Sequence, residues 1–135
     1  MNPYPETLPL HDPQTLLPLI ARVREAETSY ALLSGAMTGR DAALLRRLQE
    51  HAQGQVACLK GVYALLSGKR VRVETPPPKT EPVMHTLKKC YTRELQLFSE
   101  YDGWADIADY GHVFVCLARQ SREHCAVLLE ILGRL

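Results

Sequence analysis

The stretch KRVRVETPPPKTE, residues 69–81, decides how the chain is organised. Each proline of the run Pro76-Pro77-Pro78 removes a backbone donor and fixes φ, so the stretch is extended and no helix passes through it. Just before it, EHAQGQVACLKGVYALLSG (residues 50–68) places apolar residues at three- and four-residue steps and stops at Gly68. Just after it, Thr80 and Pro82 open a new helical pattern. Each side holds a pair of helices, and neither pair alone covers its own apolar face. The connection over 68–81 therefore reads as a Pro-rich crossover within one domain, 1–135.

Outward from the crossover, the spacing predicts four helices. The second runs over about 41–67, capped by Asp41, with Leu45, Leu48, Ala52, Gln55, Leu59, Val62 and Leu66 on its inner stripe. The first runs over about 13–36, with Asp12 as cap and Pro13 at its first position. Its stripe is Leu16, Ile20, Val23, Glu27, Tyr30 and Ser34, and an irregular lead-in occupies 1–12. The third spans about 82–107 with Val83, Leu87, Cys90, Glu94, Leu97 and Tyr101 inward, continuing toward Ala105 and Ala108. The fourth spans about 110–134, capped by Asp109, with Phe114, Leu117, Ser121, His124, Leu128, Ile131 and Leu135 inward. Tyr30 aligns with Tyr101, and the apolar spacing of the second helix repeats in the fourth. The expected fold is all-α: a four-helix bundle of two antiparallel helical hairpins.

Composition narrows the function classes. At 135 residues, with 46% hydrophobic and 23% charged, the chain can bury one core and is not disordered. Sixteen basic residues against fifteen acidic give a formal charge of +1, which offers no footprint for nucleic acid or an anionic membrane. No apolar run approaches the roughly 20 residues that cross a bilayer. No secretory leader pattern opens the sequence, so a cytoplasmic location is expected. Cys58, Cys90, Cys116 and Cys125 form no CxxC pair and are expected to be reduced and buried. His11, His85 and His112 read as surface residues, and Trp104 with Tyr110 as packing at the end of the third helix or in a subunit contact. No glycine-rich phosphate loop, HExxH or GxSxG pattern occurs.

The informative residues are those that break the apolar stripes. Glu94, His124 and Gln55 fall at one central level of three helices, with Ser121 beside His124 and the hydroxyls of Tyr30 and Tyr101 within reach. A carboxylate and an imidazole are costly to bury unless paired, hydrogen-bonded or coordinated to a metal. Tyr30, Gln55, Glu94, Tyr101, Ser121 and His124 are thus expected as a core polar cluster.

The layout, with RELQLFSEY (residues 93–101) and ARQSREHCAVLLEIL (residues 118–132), resembles the ferritin-like, rubrerythrin-type bundles. Their signature is a glutamate seven residues before a tyrosine, then Glu-x-x-His one helix later, and both again. The resemblance implies a two-metal site held by bridging carboxylates and terminal histidines. It places the first-helix glutamate at Val23, the second-helix pair at Ala52 and Gln55, the third-helix glutamate at Glu94 and the fourth-helix pair at Ser121 and His124. Two of these six positions keep a ligand, Glu94 and His124, so the dinuclear site is largely erased. Glu27, one turn beyond Val23, and Glu50 and His51, about one turn before the expected second-helix positions, are candidate displaced ligands, and Glu27 with Glu94 and His124 would hold at most a single Fe or Zn ion. Against it, Glu25, Glu27 and Glu50 stand in charge-rich surroundings typical of a solvated face.

Three functions follow as expectations. The first is a non-catalytic, ferritin-like scaffold or interaction protein, a homodimer through apolar residues off the inner stripes (Tyr63, Leu65, Val113, Val115, Leu129), with no cofactor. The second is a metal-binding oxidoreductase or iron-handling protein using Glu94, His124 and displaced ligands. The third is a small-molecule binder in the core space vacated by the missing ligands. The lack of ligands favours the first.

Overall fold

Asp12 and Pro13 begin the helical chain as their chemistry dictates. The Asp12 carboxylate accepts from the Gln14 backbone N–H at 2.9 Å, and Pro13 takes the first position, where a donor is not needed. The computed structural model describes residues 11–72, 74, 77 and 79–135. A short 3-10 turn, Pro13–Thr15, leads into α1 (Leu16–Ala36), followed by α2 (Gly39–Ser67), α3 (Val83–Trp104) and α4 (Gly111–Gly133). No strand occurs among the described residues. Most of the expected lead-in, residues 1–10, and Pro76 and Pro78 of the expected crossover lie outside the described residues.

Two helix starts differ from expectation. Asp41 does not cap α2: the extended residue Thr38 precedes the helix, and Asp41 sits in the first turn, where its charge suits the N-terminal dipole. Tyr110, not Asp109, precedes α4, and Asp109 takes a left-handed conformation with φ 69°. That turn is tight, with the Gly111 N–H donating to Ile107 O at 3.1 Å. A Cβ at position 111 would overlap the Ala105 carbonyl oxygen, so glycine is required there. Gly68 ends α2 as expected, at φ 71° with its N–H donating to Ala64 O at 2.8 Å.

The pairing of helices follows from which residues meet. Gln14, just before α1, reaches Tyr63 near the end of α2, so the first hairpin is antiparallel. Trp104 stacks on Phe114 and Glu94 meets His124, so the second is too. Between hairpins, Arg22 pairs with Glu100 and Tyr30 with Glu94, setting α1 against α3 in opposite directions. Asp41 pairs with Arg134, His51 with His124 and Gln55 with Gln120, setting α2 against α4 likewise. The pairs α1–α4 and α2–α3 lie on the diagonals, and each diagonal pair runs in one direction.

The core lies along the shared axis, with Leu16, Ile20, Leu45, Leu59, Leu87, Leu97, Phe114, Leu128 and Ile131 fully buried. In α1 the inner face carries Ala26 and Leu33, and the expected Glu27 and Ser34 fall on its shoulders. Leu135, expected inward, is 55% exposed beyond the end of α4. Tyr63, expected on an outer surface, is buried, as its contact with Gln14 requires. His11 is not a free surface residue: its ring packs tilted against Trp104, and it pairs with Asp106 at 2.8 Å. All four cysteines are free thiols, but only Cys90 and Cys125 are buried; Cys58 and Cys116 are exposed. No helix among the described residues is long and apolar enough to cross a membrane.

Candidate functional site

Each of the six residues expected in the polar cluster is buried at the middle of the bundle. Gln55, Glu94, Ser121 and His124 are 2%, 2%, 0% and 1% exposed, and Tyr30 and Tyr101 are fully buried. Helical spacing brings them there: each continues an apolar stripe, so its side chain enters the core whatever its polarity. The core must then satisfy them from within.

One chain of hydrogen bonds does most of this. The Tyr30 hydroxyl donates to Glu94 Oε1 at 2.5 Å, and His124 Nδ1 lies 3.1 Å from the same oxygen. His124 Nε2 lies 2.9 Å from Nδ1 of His51, whose ring stacks on that of His124 with centroids 5.1 Å apart. Two ring nitrogens at that distance share a single proton, so one donates and the other accepts. The Glu94 carboxylate has only lone pairs to offer, which makes His124 Nδ1 the donor toward it. A neutral His124 then accepts at Nε2 from the N–H of His51 Nδ1, leaving His51 Nε2 bare. A second branch runs from the Tyr101 hydroxyl to Gln55 Oε1 at 2.7 Å, and from Gln55 Nε2 to Gln120 Oε1 at 2.9 Å. Glu94 Oε2 and Ser121 Oγ are buried with no hydrogen-bond partner among the described residues.

Burial tunes these groups. It pushes the Tyr30 and Tyr101 hydroxyls well above their usual range, with the Glu94 charge adding to the effect. The thiols of Cys90 and Cys125 are pushed up to about 11, again mainly by burial. His51 shifts the other way: partial burial, then His124 and Arg47, hold its pKa below 6.5 and favour the neutral ring.

The donor set does not fit a two-metal centre. Val23 and Ala52 are buried where acidic ligands would be needed, and neither can bind a cation. The Glu27 carboxylate lies 3.4 Å from Arg24 on the α1 shoulder. Among the described residues no three His, Cys, Asp or Glu side chains are arranged to hold a metal ion. The facing lone pairs and protons of Glu94 and His124 are spent on each other, on Tyr30 and on His51.

His51 and Gln120 are the members of the network that the stripe pattern does not select. His51 stands one residue off the α2 stripe, beside exposed Glu50. Its signal is register: it follows Leu48 by three and precedes Gln55 by four, and it is the residue of α2 that faces His124 once Asp41 faces Arg134. Fold and site together define a four-helix bundle whose buried Tyr–Glu–His chain continues to the half-buried His51. Comparison with known families, with curated proteins and with solved structures returns no match to this sequence.

Proposed function

We propose that the chain is a ferritin-like bundle that has exchanged metal ligation for a closed hydrogen-bonded core, and that it serves as a homodimeric scaffold or interaction protein without catalytic metal. The observation that carries this reading is the interior level itself: Val23, Ala52 and Ser121 stand at positions a dinuclear site would need, and Glu94 and His124 are engaged by Tyr30 and His51. Such a network favours one helix register, because the bonds joining Tyr30, Glu94, His124 and His51 form in only one alignment. Connectivity supports the kinship. Since α2 and α3 run the same way, the end of α2 and the start of α3 lie at opposite ends of the bundle, as one long crossover connection would require. The 29 residues of α2 span about 43 Å, and an extended chain of residues 68–82 reaches about 50 Å. For association, Leu65, Val115 and Leu129 stand 68%, 45% and 52% exposed on α2 and α4.

The test is metal analysis, after growth with iron and zinc and purification without chelator, combined with light scattering. Well under one metal per chain and a mass about twice 15.2 kDa are expected. Stoichiometric iron or zinc that disappears in Glu94→Ala would overturn the scaffold reading in favour of a single-ion site. A strictly monomeric protein would remove the homodimer.

A further inference from the structure

The slot between α2 and α4 ends on the buried chain described above. It has a volume of about 480 Å³, in the range of small-molecule sites, lies on the bundle's flank, and reaches inward as far as Gln55. Its walls are mainly apolar or soft: Val113, Leu117 and the thiol-bearing Cys58 and Cys116. His51 lines it too, with Nδ1 turned to His124 and Nε2 without a protein partner among the described residues. Gly54, one turn on from His51, keeps the slot open. It lies inside α2, where glycine is the least favourable residue after proline, and a Cβ there would meet nothing within 4 Å. Any larger side chain at 54 would project into that space.

The hydrogen-bond order of the core sets what His51 offers. With Glu94 accepting from His124, and His124 accepting from His51, the imidazole presents a lone pair at Nε2 in a mostly apolar setting. Glu50 at the edge of the slot disfavours an anion. We propose that this slot binds a small, neutral, largely apolar molecule carrying one O–H donor of the phenol or enol type, which hydrogen-bonds to His51 Nε2. The binder needs no metal and does not depend on the association state, so it stands independently of the scaffold reading.

The probes are β-naphthol and its methyl ether, which share shape and differ in the single donor. Binding is followed by the fluorescence anisotropy of the naphthalene ring. Saturable binding of β-naphthol, weakened about tenfold or more in the ether, is the expected result. Gly54→Leu should abolish binding while leaving the melting temperature equal or higher, because it fills the slot without touching the core. His51→Phe, which keeps a ring but offers no lone pair, should bring β-naphthol down to the affinity of the ether. Equal binding of the two probes, no saturable binding of β-naphthol, or unchanged affinity in Gly54→Leu would each overturn the proposal.

Discussion

Glu94 concentrates the electrostatic stakes of the core in one side chain. Its Oε1 receives both the Tyr30 hydroxyl and the His124 imidazole, while its Oε2 has no partner among the described residues. Desolvating a carboxylate on those terms is tolerable only while both donors remain. Glu94→Ala leaves two buried donors without an acceptor as well as a void. It should lower stability by about 3–5 kcal/mol, measured as the shift in denaturant midpoint at constant slope. Tyr30→Phe removes one donor and leaves the shape intact, so the cost should be about 1.5–3 kcal/mol, as for a hydrogen bond to a charged group. If neither variant moves the midpoint, Glu94 is not held in the core by these partners. The two effects should not add, because both act on one oxygen.

At the scale of the helices, glycine separates what the elements tolerate from what they demand. Gly61 lies within α2, exposed, with nothing within 4 Å of an added Cβ. Gly61→Ala should therefore raise stability by up to about 1 kcal/mol through helix propensity alone. Gly111 opens α4 against the Ala105 carbonyl oxygen, and Gly111→Ala should cost about 1–3 kcal/mol, since the backbone of the turn must shift. Thermal melts of the pair should move in opposite directions; a loss in Gly61→Ala would reveal a contact on that face. The same contrast explains what the sequence discloses. Glu94, His124 and Gln55 were legible because a long polar side chain in an apolar stripe has one destination. The pairing of His51 with His124 was not, because His51 sits at a helix shoulder, and which shoulder faces inward depends on the neighbouring helix. The α4 start was misplaced for a related reason: Asp109 has the chemistry of a cap, but the tight turn into Gly111 assigns it a left-handed backbone instead. The exposure of Cys58 and Cys116 was hidden too, since burial of a small apolar residue is decided by the gap between α2 and α4 and not by its own spacing.

For the whole molecule, the buried groups set the pH range over which the bundle is stable. Burial, His124 and Arg47 hold folded His51 below its ordinary 6.5, so just below that pH the unfolded chain binds a proton that the folded one refuses. Stability from this source is complete above 6.5 and falls as pH drops toward the folded value. On the alkaline side, Cys90 and Cys125 are raised from 9.0 to about 11, and Tyr30 and Tyr101 lie well above 10.0. Here the folded chain keeps protons that the unfolded chain releases. The contribution is intact below pH 9 and is lost as pH climbs through 9.0 to 11 and past it. Denaturant midpoints measured across pH should accordingly show a plateau from about 6.5 to 9, with a decline on either side. Tyr30→Phe should flatten the alkaline decline even though it lowers the plateau, because a phenylalanine has no proton to lose when the chain unfolds. A midpoint that rises between pH 9 and 11 would mean that the unfolded chain holds its protons more tightly than the core does. Thiols and phenols enclosed by four helices around one carboxylate do not allow that, since each must leave water and approach a negative charge to ionise.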